Sequence, residues 1–312
     1  MALNYIETSN INNGLANPAE FVAASEAVYF NQLKTAAEKI KMSCKDKPII
    51  LLSGPSGSGK TTSSLRITRK LTQSGLKART IAMDNYFLPK DQGEMPLDEN
   101  GDIDLESPLR LDIDLFKEHL KRLVDCRSVE VPIFDFANQS RSGVVPITRE
   151  KNEIIIIEGI HALNPLVTGD SGEFETCIYV SVRTRIRSMG GVALHPENIR
   201  LMRRLSRDRL FRGREYKDIF AMFRSVSRGE DLYIMPYKNR ADIEVDTFLA
   251  HEAPVYKHQL FESLKEAADI MSGDENYRSI IEIMGEIDSL NSEIVQCDSL
   301  IREFIGGSSL EY

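Results

Sequence analysis

The sequence predicts an α/β fold in three layers, with helices on both faces of a doubly wound parallel sheet and helical extensions at the two ends. Two observations carry this. Five short apolar runs rich in Ile and Val, PIILLS (48–53), RTIAM (79–83), EIIIIE (153–158), CIYVSV (177–182) and ADIEV (241–245), read as buried strands. Helix-like stretches alternate with them, at 59–74, at 112–125 (DIDLFKEHLKRLVD) and at 196–211 (PENIRLMRRLSRDRLF).

The remaining elements follow in order. Residues 1–45 read as a flexible start and one amphipathic helix at about 20–42, and residues 46–252 as the sheet domain. SVEVPIFDF (128–136) interrupts the alternation and reads as a short hairpin beside the sheet. Residues 253–312 read as a helical extension, in which Ile280, Ile283, Ile287, Leu290, Ile294 and Ile301 fall at three-and-four spacing. That pattern fits a helix pair packed on its own domain. The alternative is a coiled-coil contact in a homo-oligomer, opposed by Gly285 and the DSLNSE break.

Composition narrows the function classes. The 312 residues are 42% hydrophobic and 28% charged, which suits one large globular domain with extensions. A net charge of −8 argues against a nucleic-acid-binding face and makes any anion site local. No apolar run approaches the ~18 residues of a membrane span. The start MALNYIETSNINNGLANPAE has neither a basic region nor an apolar core of a secretory signal. Cys44, Cys126, Cys177 and Cys297 are widely spaced and form no CxxC, so they are expected to be reduced core thiols of a cytoplasmic protein.

The chemistry begins at the first strand. Gly54-Pro55-Ser56-Gly57-Ser58-Gly59-Lys60-Thr61 satisfies G-x-x-x-x-G-K-[ST], with a strand before it and a helix after it, and these residues together with Thr62 are expected to bind the nucleotide. Glycines let backbone N–H groups converge on phosphate oxygens, and the helix N-terminus adds partial positive charge. Lys60 is positioned for β/γ-phosphates and the Thr61 hydroxyl for Mg²⁺. The site is one for a nucleoside triphosphate, in a P-loop NTPase fold. Glu158, at the carboxyl end of EIIIIE, is the acidic arm expected to complete the metal site. Asp84 ends the strand RTIAM and would face the γ-phosphate, where a carboxylate can take the proton of an attacking hydroxyl. The acidic stretch Asp91, Glu94, Asp98, Glu99, Asp102 and Asp104 reads as a solvated loop. Arg200, Arg203, Arg204, Arg207, Arg209, Arg212 and Arg214 form a dense cationic segment, and 200, 203, 204 and 207 share a helix face. Guanidinium groups on a mobile lid, at about 196–228, could neutralise a transferring phosphoryl group.

Together, GPSGSGKTT, MDNYF, PIFDFANQSR, IIIIEGI, RLMRRLSRDRLFRGR and YKNRADIEV resemble the uridine kinase/phosphoribulokinase family of P-loop kinases over about residues 47–250. EGIHALNP, SVSRGED and DSLIREFIGGS are similar to one bacterial branch of nucleoside-kinase-like proteins. Members of that branch often carry an N-terminal domain related to threonyl-tRNA synthetase, which is not expected in the 45 or so residues before this loop. The resemblance implies ATP as donor, Mg²⁺, and phosphorylation of a hydroxyl on a small metabolite. It implies Lys60 and Thr61 on phosphates and metal, Glu158 in support of Mg²⁺, Asp84 as base and acceptor contact, and Arg203, Arg207 and Arg212 as lid arginines. Tyr86 and the loop of Phe134, Phe136, Gln139 and Arg141 would border the acceptor. Uridine kinases typically read YDFxxHSR there, where this sequence has Phe134 for the Tyr and Gln139 for the His. The readings left open are a nucleoside kinase, a kinase of a sugar phosphate, pantothenate-like alcohol or glycerate, and an ATP-binding regulatory protein without transfer activity.

Overall fold

Strands that are apolar on both faces are satisfied only between two layers of helices, and the chain buries three strands of its main sheet so, with half-buried strands at the two edges. The protein, a computed structural model describing residues 4–90, 92, 95–169 and 172–311, begins with β1 (Tyr5–Glu7), α1 (Thr8–Gly14) and the long α2 (Pro18–Ser43). Next come β2 (Ile49–Ser53), α3 (Lys60–Gln73), β3 (Lys77–Ala82), α4 (Ile113–Val124), the hairpin β4 (Val129–Asp135) and β5 (Ser140–Ile147), and β6 (Glu153–Glu158). The one-turn α5 (Pro165–Thr168) leads to β7 (Glu175–Ser181), the fragments β8 (Arg185–Arg187) and β9 (Ala193–Leu194), and the helices α6 (Pro196–Arg212) and α7 (Tyr216–Tyr233). β10 (Ile243–Asp246), α8 (Glu252–Glu266), α9 (Ala268–Met271), α10 (Glu275–Glu286) and α11 (Arg302–Ile305) complete it.

The main sheet has the order β10-β7-β2-β6-β3 and is parallel throughout. β2 is central and wholly buried, so the loop leaving it emerges at the middle of the carboxyl edge, where ligands of open α/β sheets bind. Alternation along β2 feeds two cores. Ile50 and Leu52 join residues of α2, α3, α6, α8, α10 and α11 on one side; Ile49 and Leu51 join α4 and the hairpin on the other. Among the described residues no helix is long and apolar enough to cross a membrane.

All five predicted strands and the helices at 59–74, 112–125 and 196–211 are present, and the hairpin at 128–136 gains its partner β5. Three expectations need correction. The N-terminal segment holds β1 and α1 as well as the long helix, and β1 pairs in parallel with β8, which pairs with β9. Three-residue strands carry no readable period, so this small sheet exists only because the fold brings its pieces together. The Ile stripe is not one helix: α10 ends at Glu286, and Ile287, Leu290 and Ile301 turn into the chain's own core while Ile294 stays 37% exposed. Within this chain α10 packs against α8 and α6. Of the four free cysteines only Cys177 is buried, and Cys297 is exposed.

One buried charge pair ties the layers together. Arg203 of α6, with no exposed surface, meets Glu252 at the start of α8 (Nε to Oε2 2.8 Å, Nη2 to Oε1 3.0 Å). It also donates to the carbonyls of Gly57 (3.0 Å) and Thr247 (2.7 Å). Arg203→Ala would leave Glu252 buried and unpaired, at a cost of about 3–5 kcal/mol. Thermal unfolding of that variant is expected to show a Tm lower by on the order of 10 °C; an unchanged Tm would remove this pair from the stability of the fold.

Candidate active site

The loop after β2 is shaped by what takes its carbonyls. Arg200 donates to Ser56 O (2.9 Å), Arg203 to Gly57 O (3.0 Å) and Thr247 Oγ1 to Ser58 O (2.8 Å). A trans peptide points each following N–H the opposite way, so those of Gly57, Ser58 and Gly59 turn to the loop interior. There Pro55 O accepts Ser58 N (3.2 Å) and Lys60 Nζ (3.0 Å). The Ser56 N–H instead donates to Glu230 Oε1 (3.0 Å), and Glu230 is itself gripped by Arg200 through two bonds of 2.6 and 2.7 Å. Gly59 adopts φ +80, a conformation open to glycine, and begins α3.

Thr61, one residue into α3, donates from Oγ1 to Glu158 Oε1 at 3.3 Å, so the hydroxyl and carboxylate proposed for a metal are brought together. Burial pushes the Glu158 carboxyl up to about 7; Lys60 opposes this, while Asp84 and Glu303 add to it. A buried carboxylate short of positive charge is the environment a cation relieves. Among the described residues no group of three or more His, Cys, Asp or Glu side chains is arranged to hold a metal. The Thr61–Glu158 pair thus suits an ion that takes its other oxygens from phosphate and water, as Mg²⁺ does.

Asp84 lies in the 3-10 turn Met83–Tyr86 that ends β3. Solvent reaches its carboxylate, yet it sits low in the cleft, where surrounding protein raises its pKa and Lys60 and Arg110 pull it back. Glu106 shares the cleft. It approaches α7 at Gly229, where a methyl group would stand 2.2 Å from Glu106 Cβ. Burial, and Glu230 as a second negative charge, push Glu106 up to about 7, against the pull of Arg204 and Lys60. Lys60 therefore acts on Glu158, Asp84 and Glu106 together.

On the hairpin side, Phe87, Phe134 and Phe136 meet edge to face, with centroids 5.2–6.1 Å apart, and Phe136 is 55% exposed. Gln139 takes φ +50 in the hairpin turn; its Oε1 accepts Arg110 Nη2 (3.3 Å) and its Nε2 donates to Phe136 O (2.8 Å). The amide is thus occupied in holding the loop. Arg141 is paired with Asp112 at 3.0 Å.

The arginine cluster converges on one fully buried carboxylate. Asp208 receives Arg207 Nε, Arg212 Nη1 and Arg214 Nη1 at 3.2 Å each, and Arg204 Nε at 3.5 Å. Arg204 also reaches Ser56 Oγ at 3.4 Å, so the cluster adjoins the phosphate loop. Four guanidinium groups on one carboxylate leave a surplus of positive charge beside it.

Against the sequence expectations, Lys60, Thr61, Glu158 and Asp84 share one cleft, and Arg207 and Arg212 share the Asp208 cluster. Arg203 does not belong with them: its guanidinium is sealed in the core by Glu252 and Thr247, so it supports the loop from behind. Helices α6 and α7, expected as a mobile lid, are packed elements, and most of α6 is buried. Tyr86 is also turned away, its ring 1% exposed against Phe116 and its hydroxyl on His119 Nδ1 at 3.1 Å. Phe134 is buried, leaving Phe136 as the ring at the surface. Thr62 is covered, its hydroxyl on Glu303 Oε2 at 2.6 Å. The acidic loop is not simply solvated: Asp104 is buried against Tyr233 OH (2.8 Å) and Arg228 (3.3 Å), and Asp98 lies 3.7 Å from Arg228. Asp91 and Glu94 fall outside the described residues. Glu106, Arg110 and Glu230 were not singled out in the sequence, whereas the i,i+4 pairing of Arg204 with Asp208 is present. Glu106 and Arg110 sit in the run DLESPLR just after the acidic stretch, where no spacing marks them.

The folded chain holds a proton on Glu158 more readily than the unfolded chain does. Its contribution to stability is full below the ordinary carboxylate range and is lost as pH rises through about 7. Glu158→Gln cannot ionise, so it is expected to unfold at a higher temperature than the parent at about pH 8, the two curves converging near pH 5. Thermal melts across that range without nucleotide check this, and parallel curves would refute it.

The family described as "Phosphoribulokinase / Uridine kinase family" matches residues 49–253. Proteins named uridine kinase from Staphylococcus aureus strains JH9 and Newman are 35% identical over 200 residues, spanning 64% of this chain and 87% of theirs. Among solved structures, a possible uridine kinase from Bacillus stearothermophilus aligns at 16% identity and a TM-score of 0.47, covering 69% of this chain and 98% of that one. A putative fructose transport system kinase from Silicibacter sp. TM1040 aligns at 21% and 0.48, covering 69% and 97%. With two thirds of its length inside the family match and sequence relatives at this identity, the chain belongs to the phosphoribulokinase/uridine kinase family.

Proposed function

We propose that the protein is an ATP-dependent kinase that transfers the γ-phosphate to a hydroxyl of a nucleoside or related sugar-containing metabolite. The observation that carries this is the convergence of Lys60, the Thr61–Glu158 pair and Asp84 in one cleft. A protein that only bound ATP would have no use for a carboxylate opposite the phosphate loop. The names of the Staphylococcus aureus relatives support a nucleoside as acceptor.

In this reading the loop N–H groups and Lys60 bind the β- and γ-phosphates. Thr61 and Glu158 would hold Mg²⁺, whose charge neutralises phosphate oxygens when bound. Asp84 takes the proton of the acceptor hydroxyl as its oxygen bonds to the γ-phosphorus and the bond to the β-phosphate oxygen breaks, releasing ADP. Arg204, Arg207, Arg212 and Arg214, held by Asp208, supply positive charge beside the transferring group. The acceptor side favours a neutral polyol over a sugar phosphate. Asp84 and Glu106 offer carboxylates to hydroxyl groups, whereas Arg141 is already spent on Asp112. Phe136 gives an exposed ring on which a base can stack.

The test is ADP release with ATP and Mg²⁺ against uridine, cytidine, adenosine, guanosine, ribulose 5-phosphate, pantothenate and glycerate. Release is expected with a nucleoside. Asp84→Asn is expected to cut kcat by about 10²–10⁴-fold while changing ATP affinity little. Because the Asp84 pKa is raised in the free protein, the acid limb of kcat/KM should lie above the ordinary carboxylate range, activity growing as pH rises through it. ATP binding without release on any acceptor would instead favour the regulatory reading.

A further inference from the structure

The C-terminal segment ends its course on the phosphate loop. Leu300 is buried and lies so close to Gly59 that a methyl group there would stand 2.6 Å from its Cδ1. The Phe304 ring lies 5.4 Å from the Arg203 guanidinium carbon, and Ser206 donates to Phe304 O at 3.3 Å. Ser299 donates to Glu26 of α2, which fixes the segment from its other side. These contacts seat α11 beside the first turn of α3. From there Glu303 accepts the Thr62 hydroxyl at 2.6 Å, one residue beyond Thr61, and adds negative charge to the surroundings of Glu158.

We propose that Glu303 is a resident counter-anion of the nucleotide site, which an incoming nucleotide phosphate must displace from Thr62 and from the positive end of α3. The inference rests on the ATP-site reading above. A threonine hydroxyl has one hydrogen; given to Glu303, it leaves only lone pairs for a phosphate oxygen. A carboxylate so placed also repels the phosphate it resembles in charge, and it occupies the region where helix N–H groups favour an anion. Displacement needs only a side-chain movement. Glu303 is partly exposed, while Leu300, Ile301 and Phe304 keep the segment anchored with no exposed surface. Glu303 is thus a positioning residue that sets nucleotide affinity through Thr62.

The experiment is titration of the full chain with ATP and Mg²⁺, and with ATP alone, for the parent, Glu303→Gln and Glu303→Ala. Glu303→Gln keeps an acceptor for Thr62 and removes only the charge. It is expected to tighten ATP binding by roughly 3–10-fold, and Glu303→Ala by at least as much, since the difference between a charge-assisted and a neutral hydrogen bond is of that order. A purely structural role predicts equal or weaker binding, and either result would overturn the proposal. In a Thr62→Val background the gain from Glu303→Ala should shrink, because no hydroxyl remains to compete for; an undiminished gain overturns the competition at Thr62. Lys60→Ala separates the two levels. If it binds ATP as tightly as the parent, the nucleotide lies elsewhere and the ATP-site reading fails, taking this proposal with it. If it loses ATP while Glu303→Gln changes nothing, only the proposal fails.

Discussion

A loop that presents its N–H groups to an anion must hand its carbonyls to something else, and the rest of this structure follows from how that is done. The carbonyls of Ser56, Gly57 and Ser58 go to Arg200, Arg203 and Thr247. Two of these donors are buried cations, so each needs a buried carboxylate: Glu230 for Arg200 and Glu252 for Arg203. Those carboxylates stand on α7 and at the start of α8, and the pairing therefore dictates where both helices pack. Geometry required at a few peptide groups propagates outward as ion pairs between whole layers.

The same economy appears one turn along α6. Four arginines in one small volume repel one another, and a solvated helix would spread them apart. Asp208, with no exposed surface, forms ion pairs within 3.5 Å with all four and holds them in a common arrangement before any ligand arrives. Charge stabilisation of a transferring group depends on dipoles and ions that need not reorganise. In the proposed reaction that preorganisation would come from Asp208.

The sheet and the phosphate loop were legible in the sequence because both are local. EIIIIE and GPSGSGKTT declare themselves within ten residues, through apolar runs and through glycines at fixed spacing. What stayed hidden depends on partners distant in the chain. Nothing around Tyr5 announces pairing with Arg185. Arg203 and Arg204 are adjacent and chemically identical, yet the helix aims one at Glu252 in the core and the other at Ser56 and Asp208. Tyr86 follows the same rule: two residues past Asp84, the turn sends its ring into the second core. Helical phase separates supporting from ligand-facing residues, and a motif carries no such phase by itself. Glu106 was beyond sequence reasoning because only the bare surface at Gly229 lets its loop settle against α7.

The seating of the last helix has a consequence for how the chain is made. Leu300 lies against Gly59 at the start of α3, Phe304 lies against Arg203 of α6, and the buried Ser299–Glu26 contact joins this segment to α2. A ribosome releases residues in order, at about 5–20 per second, so the stretch between Lys60 and Phe304 takes roughly 10–50 s to emerge. For that interval the newborn sheet already owns its phosphate loop but not the wall beside it. Until α11 has emerged, the apolar surface that Leu300, Ile301 and Phe304 occupy stays open to cellular quality control.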